Sequence, residues 1–183
     1  MKLNLGCGDD IRKDWVNVDI YGHANVIHNL ETFPYPWEDN SVDEINLQHV
    51  LEHLGQSYDC YINIMKELYR ICDNGAIIHI VVPHHNHKDY IGDPTHVRII
   101  TPEGLLLFDQ ESNQYCIDNN HSNTPLGLIN NINFKIINVN YDLDDKYKQL
   151  VYTGRLTESQ AYELIDERLN VCKQIFIDLQ VLK

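Results

Sequence analysis

The sequence predicts an open α/β sheet whose ligand sits at the carboxyl ends of the strands. Three observations carry this. A short apolar run, Lys2-Leu3-Asn4-Leu5, feeds the glycine pair Gly6-Cys7-Gly8. A second run, Val16-Asn17-Val18, ends in the carboxylate Asp19. Beyond them, β-rich runs alternate with segments of helical spacing.

Taken in order, strands are expected at about 2–6, 16–20, 25–28, 44–48, 76–82, 134–141 and 148–153. The clearest internal helix spans about 58–72: Ser57 caps it, Ile62, Met65, Leu68, Tyr69 and Cys72 share one face, and Asn74-Gly75 supplies the stop. The run Ala76–Val82 is apolar nearly throughout apart from His79, which reads as a central strand covered on both faces with a core histidine. A short helix follows Thr101, with Pro102 at its first position. Residues 109–131 are polar and Asn-rich and read as a long surface loop, either a lid or disordered. Residues 157–183 read as an amphipathic helix. Thr157 and Gln160 form a capping box, and Ala161, Leu164, Ile165, Leu169, Cys172, Ile175, Phe176 and Leu179 recur at helical spacing. That helix is expected to pack on the sheet or to form a homodimer interface. The chain is thus read as a single domain over 1–183, with a core at 1–153 and a C-terminal helix at 157–183.

Composition narrows the partners. At 183 residues one hydrophobic core suffices. A net charge of −13, from 14 basic and 27 acidic residues, argues against nucleic acid, and the one basic pair, Arg12-Lys13, is followed at once by Asp14. Five cysteines without a CxxC pair read as a reduced, cytoplasmic chain. No secretory signal is visible and no run approaches the 18 or so apolar residues of a membrane span. The many Asn and Ile residues read as compositional bias.

The first two runs carry the chemistry. Glycines let the backbone approach a ligand, and an acid at the end of the next strand is placed to take two ribose hydroxyls. A dinucleotide fingerprint wants its acid roughly 20 residues on and a third glycine opening a helix, whereas Asp19 comes 13 positions after Gly6 and Asp9-Asp10 occupies the place of that helix start. Two carboxylates there repel a pyrophosphate. The ligand is therefore expected to be a nucleoside without phosphates.

These segments resemble the class I S-adenosylmethionine-dependent methyltransferases, and within them the compact bacterial type 11 group. The resemblance rests on Leu3–Gly8, Trp15–Ile20, Asn29–Pro34 with Asn40–Asp43, Gln48–Leu54, and Glu67–Ala76. It runs over residues 2–109 in order. It implies a Rossmann-like seven-stranded sheet, mostly parallel, with an antiparallel strand near the C-terminus. It implies that S-adenosylmethionine is bound by Gly6, Cys7, Gly8, Asp19, Ile20, Asn29, Leu30, Gln48 and His49. In that reading Asp19 holds the ribose, Ile20 and Leu30 sandwich the adenine, and Asn29 accepts from its amine. Asn4 departs from the acid common before the first glycine, Asp10 stands where a third glycine is frequent, and Asn29 replaces an aspartate. N-terminal helices often cover the methionine end in this group; here residues 109–131 or a second subunit would have to do so.

Methyl transfer needs alignment, exclusion of water and a base for the acceptor proton. His49, His84, His85 and His96 are the candidate bases, because imidazole titrates near neutrality. The acceptor is expected to be a small molecule or saccharide, methylated on oxygen or nitrogen, with 84–98 and 109–131 shaping its site. His49-Val50-Leu51-Glu52-His53 also spells H-x-x-E-H, but it follows a strand and Gly55 comes two residues later, so no metal site is assigned there. Nor is one assigned to His84, His85 and His87, which share a single loop. Two other readings stand beside the first: a non-catalytic cofactor-binding or partner module, and a metal-dependent hydrolase using the His84–His96 loop.

Overall fold

The computed structural model describes residues 1–183. Its strands are β1 (Lys2–Leu5), β2 (Val16–Asp19), β3 (Val26–Ile27), β4 (Val42–Gln48), β5 (Cys72–Pro83), β6 (Phe134–Leu143) and β7 (Cys172–Val181). They form one sheet in the order β3-β2-β1-β4-β5-β7-β6. Pairing is parallel from β3 to β5, while β7 runs antiparallel to both β5 and β6. The chain winds from β1 outward to β3, then crosses back to place β4 on the other side of β1. That reversal opens a crevice outside the carboxyl ends of β1 and β4.

The helices are α1 (Tyr58–Ile71), α2 (Lys88–Ile91), α3 (Pro102–Leu106), α4 (Gln110–Asp118), α5 (Leu126–Asn130), α6 (Asp145–Tyr152) and α7 (Glu158–Glu167), with a 3-10 turn at Leu51–His53. Strand alternation sorts the side chains. Leu3, Leu5, Ile45, Leu47, Ile78, Ile80, Ile175, Ile177 and Leu179 point to one face and are fully buried. They share a 36-residue core with Ile62, Met65 and Leu68 of α1, Leu105 of α3, Tyr147 of α6 and Ala161 and Ile165 of α7. Each such burial contributes about 1.5–3 kcal/mol.

The opposite face is different. The connections after β1 (6–15) and β2 (20–25) carry no helix, so the face is only partly covered. Instead of apolar packing it bears a row of paired polar groups: Lys2 Nζ to Glu44 (2.5 Å), His79 between Glu44 (3.1 Å) and Asp178 (2.6 Å), and Asn138 Nδ2 donating to Asp178 (3.0 Å). The run 76–82 is therefore fully buried on one face and only partly on the other, where Val81 is buried but Ile77 and His79 are half-buried, and His79 is a cross-strand hydrogen-bond partner of two carboxylates rather than a core histidine.

Four further expectations are corrected. Residues 157–183 are not one helix. The capping box of Thr157 and Gln160 opens α7, but the helix ends at Glu167, Asn170 turns with a positive φ, and β7 follows. Inside β7, Cys172, Ile175, Ile177, Leu179 and Val181 are buried and their neighbours are not; this period of two was masked by coincident matches to helical spacing. A strand bonded on both sides cannot be the helical dimer interface expected above. The strand expected at 148–153 is α6, whose inward residues Tyr147, Leu150 and Val151 lie three and four apart. Residues 109–131 fold into α4 and α5 without an apolar pattern. Asp109 caps α4 by accepting from Ser112 N (2.9 Å), and the buried Asn113 accepts from Gly127 N (3.1 Å) and donates to Leu107 O (3.1 Å). Every hydrogen bond of this segment stays within 105–135. Finally, α1 ends at Ile71, and Asn74-Gly75 lies inside β5.

Candidate functional site

The glycine turn lies at the carboxyl end of β1. Gly6 and Gly8 both have left-handed φ, +64° and +49°, yet they serve different purposes. A Cβ on Gly6 would stand 2.5 Å from a Val50 methyl, whereas one on Gly8 would meet nothing within 4 Å. Gly6 lets the turn pack on the segment after β4; Gly8 leaves open space.

A buried asparagine row holds this turn in place. Asn4, Asn17 and Asn46 are opposite one another on β1, β2 and β4. Asn4 donates to Asn17 Oδ1 (3.0 Å) and to Asp10 O (2.7 Å), and accepts from Asn46 (2.8 Å). Asn17 in turn bonds Arg12 N and O (2.9 and 3.0 Å). The 6–15 segment is thus tied down by side-chain amides where a helix would otherwise pack. Sequence reasoning missed this: three asparagines inside strands were the signal, and Asn4, first seen as a departure, is the centre of the network.

Asp19 ends β2 beside Gly8. Its Oδ2 accepts from Gly8 N (2.8 Å) and its Oδ1 from Ile20 N (2.7 Å). Tyr21 N also reaches Oδ1 (3.5 Å). An ionised carboxylate has about four acceptor positions, so the free one lies on Oδ2, beside Gly8. Burial first, then the charges of Asp19, Asp10 and Asp9, push the Cys7 thiol above its ordinary range; the field of the turn is negative, suited to a cationic ligand rather than a phosphate. Ile20 is 48% exposed, while Leu30 belongs to the core, so only Ile20 offers open apolar surface to a base. Asn29 is exposed and its Oδ1 accepts from Glu31 N (2.9 Å). None of the five principal cavities is lined by Gly6, Gly8 or Asp19; their crevice is an open edge.

Gln48 and His49 leave β4 next to that edge. Gln48 Oε1 accepts from Arg12 (3.3 Å). His49 adopts φ +54°, and its ring is held between Gln174 Oε1 (3.1 Å from Nε2) and Glu52 Oε1 (3.5 Å from Nδ1). The Glu52 carboxylate, foremost, raises the His49 pKa above its usual value.

The structure divides the four candidate histidines. His49 and His96 line one polar cavity of about 320 Å³, together with Glu52, His53 and Asp93 and with Lys173 and Gln174 from β7. His84 and His85 stack on each other (4.4 Å between ring centres) and line another, with Tyr141, Glu103 and Asp166. Burial, the largest cause, lowers the His84 pKa to about 4, so it is neutral at pH 7 and a weak base. Because it charges in the unfolded chain near pH 6.5 but in the fold only near 4, its contribution to stability is intact above pH 6.5 and is lost as pH falls towards 4. His84→Asn is expected to remove about 1–2 kcal/mol of the acid-side pH dependence, read from urea midpoints at pH 4.5 and 7.

Arg98 is structural. Its Nε donates to Gly55 O (2.9 Å) and its guanidinium stacks 4.1 Å over Tyr61.

No family model and no curated relative matches this sequence. The architecture does match solved structures. An S-adenosylmethionine-dependent methyltransferase from Archaeoglobus fulgidus superposes with a TM-score of 0.57 at 15% identity, over 98% of this chain and 85% of that one. The YcgJ protein of Bacillus subtilis gives 0.54 at 12% identity, over 100% and 91%. An S-adenosylmethionine-dependent methyltransferase from Methanosarcina mazei gives 0.53 at 13%, over 99% and 92%.

The fold is that of the class I methyltransferases. On this class I methyltransferase fold the present chain keeps the switch-point crevice while leaving one sheet face without helices. No helix is long and apolar enough to cross a membrane.

Proposed function

We propose that this protein is an S-adenosylmethionine-dependent methyltransferase acting on a polar small-molecule or saccharide acceptor. The observation that carries the proposal is the pairing of Gly8 and Asp19 at the switch point: open space above a left-handed glycine, a carboxylate with a spare acceptor position on Oδ2 beside it, and a negative local field. When bound, S-adenosylmethionine supplies an electrophilic methyl on a sulfonium, and the bond to sulfur breaks with its electron pair staying on sulfur. Asp19 would hold the ribose hydroxyls, Gly8 would give backbone room, and Ile20 would face the base.

His49 is the favoured proton acceptor among the four histidines. It adjoins Gln48 at the crevice, it is oriented by Glu52 and Gln174, and the Glu52 carboxylate beside it stabilises the imidazolium that forms when it takes a proton. His84 titrates too low, and His85 lines the other cavity. The cavity beside His49 has no hydrophobic side chain in its lining, which favours a hydroxylated or amino acceptor over a lipid. Calorimetric titration with S-adenosylmethionine and S-adenosylhomocysteine tests the reading. Heat of binding from both is expected; a folded sample that binds neither overturns it.

A further inference from the structure

We propose that Glu52, His53 and His96 form a binding site for a divalent transition-metal ion of the zinc type. A carboxylate oxygen of Glu52 and a ring nitrogen of each histidine lie within 4.8 Å of one another. Glu52 is only 1% exposed, and neither of its oxygens has a hydrogen-bond donor. No lysine or arginine reaches it within 4 Å; only the His49 ring comes near, at 3.5 Å. A buried carboxylate whose one nearby partner is a histidine ring at 3.5 Å is poorly compensated, and a cation in the cavity would complete its coordination.

The surroundings are built for ligation. His96 Nδ1 is 2.8 Å from Tyr90 O, so it donates there and leaves the lone pair on Nε2. Thr95 Oγ1 donates to Asp93 (2.6 Å) and so accepts from His53 Nδ1 (3.0 Å), leaving the His53 Nε2 lone pair free. Metal-binding histidines carry such oxygen partners on the other ring nitrogen. Two backbone bonds, Val97 N and Arg98 N to Glu52 O (2.9 and 3.1 Å), fasten the two ligand segments together. The donor set, two imidazoles and one carboxylate, suits zinc or iron(II) rather than magnesium or calcium, and three protein ligands leave a coordination position open.

All three ligand residues line the polar cavity beside His49. Resting on the methyl-transfer reading, the open position would take an acceptor hydroxyl as ligand and polarise it. Metal binding itself does not depend on that reading.

The test uses the purified chain, freed of metal with chelator, with Zn2+ alone as probe and no S-adenosylmethionine present. One equivalent is expected by equilibrium dialysis, with a rise in melting temperature. His96→Ala and His53→Ala should each weaken binding by about 100-fold. Glu52→Gln, which keeps the shape and removes the charge, should melt no lower than the metal-free protein yet gain nothing from Zn2+. A purely structural Glu52 would make Glu52→Gln less stable and leave Zn2+ binding unchanged. No binding by folded protein, or binding lost in His84→Ala or His85→Ala but kept in the three variants, overturns the proposal. A separate titration with S-adenosylmethionine distinguishes failure of this site from failure of the methyl-transfer reading.

Discussion

Gly6→Ala is expected to destabilise the protein by about 2–4 kcal/mol, whereas Gly8→Ala, two residues away, costs about 1 kcal/mol. Both glycines sit at left-handed φ, where an L side chain costs about 1 kcal/mol. Gly6 adds a collision: the new Cβ would stand 2.5 and 2.8 Å from the two Val50 methyls. Val50 is itself buried, so overpacking contributes a further 1–3 kcal/mol or so. Urea midpoints compare the two variants directly. Val50→Ala should recover part of the loss in Gly6→Ala, since it removes the methyls, and none in Gly8→Ala. Equal stability of the two single variants would mean that the turn does not pack on the 48–53 segment. Ligand affinity should show the reverse emphasis: Gly8→Ala fills the space left for a ligand while moving the midpoint less than Gly6→Ala does.

The contrast between the two glycines shows where sequence reasoning has purchase. The Gly6-Cys7-Gly8 spacing and Asp19 located the switch-point crevice, because turn chemistry and strand ends are local properties. The helix after Ser57 was equally legible: its cap, its apolar face and a moment toward the core agree. The end of the chain was not. Ala161, Leu164 and Ile165 belong to a helix and Cys172 to Val181 to a strand, and the two patterns join without a proline or a glycine between them. Asn170, in left-handed conformation, does the work of that missing punctuation. The 109–131 segment failed for another reason. Its order comes from Asn113 and Asp109 bonding backbone groups, which hydrophobic periodicity cannot register.

The same error hid part of the site. With 172–181 read as a helix, Lys173 and Gln174 could not be placed beside His49, although they line its cavity. Glu52 was visible within H-x-x-E-H, but the metal ligands expected of that motif sit on one long helix. Here His53 follows Glu52 on a 3-10 turn, and the partner His96 arrives from the segment after α2, 43 residues on. Backbone bonds from Val97 and Arg98 to Glu52 O, with Thr95 on His53 and Arg98 on Gly55 O, make that convergence, and nothing in the spacing announces them.

Asp19→Asn is expected to weaken S-adenosylmethionine binding by about 1–3 kcal/mol, or roughly 5- to 150-fold, since it exchanges charge-assisted bonds for neutral ones. Asparagine is chosen because its single Oδ1 can still accept from Gly8 N or Ile20 N, which keeps the turn closed. Two origins of the loss separate cleanly. If the carboxylate holds the ribose diol, S-adenosylmethionine, S-adenosylhomocysteine and adenosine should all lose affinity by the same factor, because all three carry that diol. If it acts only through the negative field that it shares with Asp9 and Asp10, the loss should fall on the cationic ligand, shrink with added salt, and spare adenosine. The geometry favours the first outcome. Asp19 stands at the strand end with an acceptor position free on Oδ2, while the Asp10 carboxylate is already paired with Arg12 (3.1 Å). Unchanged affinity for all three ligands would mean that the ribose lies elsewhere.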